Sequence, residues 1–105
     1  MPVYVDNAFI PAKVPNGRGV VDSKWCHMTA DTREELDAMA VRIGLRRSWI
    51  QHPGTWKEHY DVTLSRRAAA VAAGAIEVDW REQSVKRAEA RMAERDAEDA
   101  QQQGD

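Results

Sequence analysis

The stretch that most restricts the fold runs from Lys24 to Gly44, KWCHMTADTREELDAMAVRIG. Its first part alternates, with Cys26, Met28 and Ala30 on one side and Trp25, His27 and Thr29 on the other, the pattern of a strand with one apolar face. Directly after Asp31, residues Leu36, Met39, Ala40 and Ile43 recur at helical spacing. Thr32 with Glu35 forms a capping-box pattern, and Gly44 is a stop signal.

The same alternation of elements recurs along the chain. Val3, Tyr4 and Val5 read as a short strand ending at Asp6. A loop follows, punctuated by Pro11, Pro15, Asn16-Gly17 and Gly19, in which Asn16-Gly17 can turn a small hairpin. RRSWIQ at 46–51 suits a third strand. A second helix takes its apolar stripe from Leu64, Ala68, Val71 and Ala72, with Asp61, Thr63 or Ser65 able to cap it and Gly74 ending it before a short strand, AIEV, at 75–78. Strand, helix, strand, helix, strand predicts a single small α/β domain over residues 1–79, with a mostly parallel sheet and two right-handed crossover helices. From Trp80 the chain becomes a charged segment holding five basic and seven acidic residues of the total 15 and 17, which leaves ten of each before it. Val85, Ala88 and Met92 give it a thin apolar stripe, so residues 80–105 read as an appended, largely solvated helix that frays toward its Gln-rich end.

At 105 residues and a formal charge of -2, the chain has no whole-domain charge for binding a nucleic-acid polymer or an anionic membrane. No apolar run approaches the ~18 residues of a membrane span. The lone Cys26 can form no internal disulfide, and MPVYVDNAFI lacks the pattern of a signal peptide, so a cytoplasmic location is expected, the host cytoplasm if the chain is phage-encoded.

Under the parallel topology, Asp6, Asp31, Thr32, His52, His59, Tyr60 and Asp61 all fall near the carboxyl ends of strands, where ligands of open sheets bind. Arg66 and Arg67 stand in the first turn of the second helix, where each cation forfeits roughly 0.3 to 1 kcal/mol against the macrodipole. An anionic ligand would compensate, and so would simple pairing with Asp61 or Glu58 or exposure to water. His27 can project into a polar pocket or be a hydrogen-bonded strand residue. His59 and Asp61 flank Tyr60 and share one side of an extended segment, which suits a general base with its orienting carboxylate, or two metal ligands, or merely a loop histidine and a helix cap. The histidines and aspartates lack the tight spacings of zinc motifs, so no metal ligand is assigned and the cofactor is left unknown. Cys26 and His27 face opposite ways and cannot form a dyad. Trp25, Trp49 and Trp56 can stack on a flat ligand or fill the core, and Trp80 is placed under the tail.

The segments WCHMTADTREELDAMAVRIGLRRSW and HYDVTLSRRAAAVAAGAIEV, with the VYVD strand, resemble the domain-of-unknown-function family numbered 4031, small proteins of bacteria and their phages. The resemblance covers most of residues 1–79 and leaves the charged tail outside. It implies a single domain and a bacterial or phage setting. It also marks His27, Asp31, His59, Tyr60, Asp61 and Arg67 as motif positions, without implying an activity.

Three functions follow as expectations. The first is binding of an anionic, phosphate-bearing metabolite or nucleotide by Arg66, Arg67, His27 and His59, with sequestration of a host signalling nucleotide as one version. The second is a small hydrolase or transferase with His59 as base and Asp61 as its orienter. The third is an interaction module whose tail helix, with Arg87, Arg91 and Arg95 on one side and Glu89, Glu94, Asp96, Glu98 and Asp99 interspersed, docks on a host protein or a second copy. Removal of residues 82–105 is expected to leave both the fold and the ligand site intact.

Overall fold

The computed structural model describes residues 2–15 and 17–103, and side-chain surroundings as far as residue 93 with Arg91 excepted. The order is β1 (Val3–Val5), β2 (Ile10–Pro15), β3 (Val20–Ala30), α1 (Arg33–Arg42), a 3-10 turn (Arg47–Trp49), β4 (Tyr60–Val62), α2 (Leu64–Ala72), β5 (Ile76–Glu77) and α3 (Trp80–Gln103). The α/β class holds, but the sheet is mixed and not mostly parallel. β1 and β2 both pair antiparallel with β3, β4 pairs antiparallel with it, and only β5 runs parallel to β1.

The proline-bearing segment is the reason. It forms strand β2, which pairs with β3 out to Pro15↔Val20 and so reverses the chain before the long strand begins. Both prolines are tolerated because β2 hydrogen-bonds to β3 alone, as an edge strand. The hairpin is therefore present, although Asn16 itself lies outside the described residues. The strand expected at 46–51 is a second correction. Arg46, Arg47, Ser48 and Trp49 are all exposed, so nothing alternates to hold them against a core, and only Gln51 pairs, with His59.

One face of the sheet is apolar. Val3, Val5, Cys26, Met28, Tyr60 and Val62 pack there against Leu36, Ala40 and Ile43 of the α1 segment and Ala70 of α2. Both helices begin on a threonine whose side chain accepts a backbone N–H three residues on, Thr32 from Glu35 and Thr63 from Arg66. They also end alike. Gly44 at φ +85 and Gly74 at φ +106 turn the chain so that Leu45 N–H reaches the Ala40 carbonyl and Ala75 N–H that of Ala70. The opposite face carries His27, Thr29, His59 and Asp61, and the 52–58 loop and the start of α3 border it.

Tyr60 is fully buried, and its hydroxyl donates to Asp37 Oδ1 at 2.7 Å. Burial and the Asp37 carboxylate push its pKa up to about 12, while Asp37 is held below its usual value because the bonds from Tyr60 and Arg33 outweigh burial. A folded pKa above the unfolded ~10 means that the Tyr60 contribution is complete below ~10 and is lost as the pH climbs from there to 12. The depressed Asp37 loses its part only in acid. We expect ultraviolet titration of the native chain to show no Tyr60 phenolate at pH 10, and Tyr60→Phe to cost about 1.5–3 kcal/mol, constant from about pH 5 to 9. Ionisation of both tyrosines near 10 would contradict this packing.

Candidate functional site

The site begins at an irregularity in the sheet. Between the pairs Val3↔Ala30 and Ile10↔Trp25 the chain advances seven residues on one strand against five on β3, so a bulge occupies Asp6 to Phe9, with Phe9 at φ +48. Bulges re-aim side chains. Here the Asp6 carboxylate turns onto β3, where Oδ1 accepts from His27 N–H at 2.9 Å and Ala8 N–H at 3.2 Å, and Oδ2 lies 2.7 Å from His27 Nδ1. A carboxylate only accepts, so the proton is on Nδ1 and the Nε2 of a neutral His27 is free.

The charges support one another. The bond from Asp6 raises the His27 pKa against the opposing effect of burial. Burial alone would raise Asp6, yet the His27 ring and the two backbone donors hold it low. The pair is mostly shielded, with 9% of the Asp6 and 32% of the His27 side chain exposed.

β4 supplies the next groups. His27 is paired across the strands with Asp61, and His59 precedes Asp61 by two residues, so all three share the polar face. The His27 and His59 rings meet edge to face with centroids 5.0 Å apart. His59 Nε2 is 3.2 Å from Asp61 Oδ1, and His59 Nδ1 is 2.7 Å from the Lys57 carbonyl. His52, at φ +51, stands 6.0 Å from His59 between ring centroids.

These imidazoles open into a cleft of about 240 Å³, whose remaining wall comes from Trp56 and Lys57 of the loop and Trp80, Gln83, Ser84 and Arg87 of α3. Asp79 Oδ1 caps the helix, and Asn7 Oδ1 accepts from Trp80 N–H. The half-buried Arg87 guanidinium donates to the carbonyls of Trp56 and Glu58, which ties α3 to the loop. Burial lowers the Arg87 pKa.

Of the site residues expected from sequence, the structure brings together Asp6, His27, His59 and Asp61. The others it disperses. Asp31 receives the Tyr4 hydroxyl at the far end of β3, Thr32 caps α1, and Tyr60 faces the core. Arg66 donates to the Ile43 carbonyl at 2.5 Å, so its charge meets the negative end of α1. Arg67 donates to the Asp6 carbonyl and to Glu77, both at 2.8 Å, with its guanidinium 5.3 Å from the Phe9 ring centroid. The two cations at the start of α2 thus have protein partners, and Arg67 braces the bulge from behind. A second, larger hollow of about 440 Å³ beside Trp25, Trp49, Ser65 and Arg66 has no imidazole in its wall, and Asp61 borders it on the side away from the cleft histidines. The smaller cleft is the better site.

A family model described as "Protein of unknown function (DUF4031)" matches residues 3–91. The chain belongs to this family. No curated protein and no solved structure gives a significant match. The DUF4031 match runs past residue 79 through the first three turns of α3, so it takes in the part of the charged segment that lines the cleft. Removing residues 82–105 would take away Gln83, Ser84 and Arg87 and with them one wall. Sequence reasoning missed these three and Lys57 as site residues. The signal was available: Trp80, Gln83, Ser84 and Arg87 recur at i, i+3, i+4 and i+7, a polar stripe on one helix face. Val85 and Met92 are exposed, and the side chains of Arg91, Arg95, Glu94, Asp96, Glu98 and Asp99 lie outside the described residues. Among the described residues no helix is long and apolar enough to cross a membrane.

Proposed function

We propose that this DUF4031 chain binds an anionic, phosphate-bearing small molecule in the cleft between the sheet and α3. The observation that carries the reading is the convergence of Arg87 and Lys57 on three histidines, His27, His52 and His59, in one concavity with two half-exposed indoles. Arg87 uses part of its five-donor fork on two backbone carbonyls and keeps the rest for an anion. Trp56 and Trp80 offer π-faces to a flat ring. At about 240 Å³ the cleft falls below the ~300–1,000 Å³ of pockets that enclose a whole drug-sized ligand, so it grips an anionic group and one ring.

Turnover is the second reading, favoured by the Asp6–His27 pair. A buried carboxylate 2.7 Å from Nδ1 fixes the ring and stabilises its protonated form, which is what a general base on water needs. His59 serves this role less well, because both of its nitrogens already face oxygens.

Calorimetry with inorganic phosphate, adenosine and adenosine monophosphate tests the binding. The monophosphate should bind best, and Arg87→Gln or Lys57→Gln should weaken it about 10- to 100-fold, the loss of one charged hydrogen bond. No heat at millimolar ligand, or equal affinity in both variants, would count decisively against the cleft. Recovery of intact ligand after long incubation separates sequestration from turnover.

A further inference from the structure

We infer that His27, His59 and Asp61 form a binding site for a divalent transition-metal ion, with Asp6 and the Lys57 carbonyl fixing the two imidazoles. One ligating atom from each of the three side chains lies within 4.8 Å of the others. Both rings are held at Nδ1, His27 by Asp6 Oδ2 and His59 by the Lys57 carbonyl, each at 2.7 Å. Neither oxygen can donate, so both Nδ1 atoms carry the proton and both neutral rings present Nε2 as a lone pair. This carboxylate-or-carbonyl, histidine, metal arrangement is the usual way in which ligating imidazoles are oriented.

The contact between His59 Nε2 and Asp61 Oδ1 supplies an independent argument. At 3.2 Å a neutral imidazole nitrogen and a carboxylate oxygen turn lone pairs toward each other, and the approach is favourable only with a proton or a cation between them. The same 3.2 Å is close to the spacing of about 3.3 Å between two ligands bonded at 2.0–2.1 Å to a tetrahedral ion. Asp61 is the most exposed of the three, with 43% of its side chain accessible against 32% for His27 and 17% for His59. The sequence spacing hid the set because the ligands come from adjacent strands and meet through the His27↔Asp61 register.

Two nitrogens and one oxygen suit zinc, cobalt, nickel or iron(II) better than magnesium or calcium, and three protein ligands leave a fourth position open; His27 and His59 line the cleft with Arg87 and Lys57, whereas Asp61 borders the other hollow. The ion site deepens the phosphate reading, since a phosphate oxygen would fit that open position beside Arg87 and Lys57, but its own assembly does not depend on that ligand. It also separates two chemistries for turnover, because base catalysis by His27 survives a chelator and ion-assisted hydrolysis does not.

The test uses the full chain, stripped with a chelator and titrated with Zn²⁺ by calorimetry and with Co²⁺ by visible absorption, in buffer free of phosphate. The expected result is one ion per chain, saturating at micromolar concentration, with the absorption of low-coordinate Co²⁺. Asp61→Asn and His59→Gln should each weaken binding at least tenfold. Asp6→Asn should weaken it about 10- to 100-fold without touching the ion, since its amide would donate to Nδ1 and drive the His27 proton onto Nε2. Nitrogen-15 spectra of the native chain need no variant to fold: Zn²⁺ should shift the Nε2 resonances of His27 and His59. Absence of saturation at millimolar ion, unmoved Nε2 resonances, or affinity indifferent to Asp61→Asn and His59→Gln would overturn the site. A phosphate titration of the stripped chain fails or succeeds separately, so loss of either result leaves the other standing.

Discussion

Asp6→Ala is expected to destabilise the protein by about 3 kcal/mol, well beyond an ordinary surface substitution. The carboxylate is 9% exposed and accepts three bonds, two from backbone N–H groups and one from an imidazole. Alanine would leave the His27 and Ala8 N–H groups without their acceptor, at about 1–3 kcal/mol for each one that stays buried, and would strip His27 of its counter-charge. Asp6→Asn keeps Oδ1 for both N–H groups and should cost well under half as much. Urea denaturation of the three chains checks the ordering. Equal stability of Asp6→Ala and the native chain would mean that the bulge is held by something other than this carboxylate.

Truncation should separate the fold from the site. Every residue of the buried core lies at or before Ala75, and α3 is joined to the body chiefly by Asn7 to Trp80 and by Arg87 to the 52–58 loop. A chain ending at residue 91 keeps the cleft residues and is expected to match the full chain in melting temperature and in affinity for adenosine monophosphate. A chain ending at residue 79 should still melt cooperatively, yet lose Trp80, Gln83, Ser84 and Arg87 and with them about 100-fold or more in affinity, the combined loss of a charged donor and a stacking face. Retained affinity in the shorter chain would contradict the cleft. Failure of that chain to fold would extend the domain through α3, and the comparison would then rest on Trp80→Ala with Arg87→Gln in the chain ending at 91.

Local pattern was legible wherever one face had to be buried. The alternation around Cys26 and Met28, the Thr32 cap and the Gly44 stop all reappear, because burial and capping act within a few residues. Strand direction was not legible, since it turned on whether the stretch from Ile10 to Pro15 pairs or loops. Its prolines argue for a loop until an edge position allows them. For the site, the i, i+2 relation of His59 and Asp61 was readable in HYD, whereas the Asp6–His27 pair depends on a bulge that no short-range rule announces. Arg66 and Arg67 looked exposed to an unfavourable dipole because their partners, the Ile43 and Asp6 carbonyls, are 23 and 61 residues away along the chain.

The measurement closest to the central claim is a nitrogen-15 spectrum of the backbone amides, histidine rings and tryptophan indoles of the full, chelator-treated chain during titration with adenosine monophosphate. The cleft reading predicts saturable shifts of the His27 and His59 ring nitrogens together with the Trp56 and Trp80 indoles, while the Trp49 indole and the Ser65 and Arg66 amides stay in place. Shifts confined to Trp49, Ser65 and Arg66, with all three histidines unmoved, would contradict it and place the ligand in the other hollow.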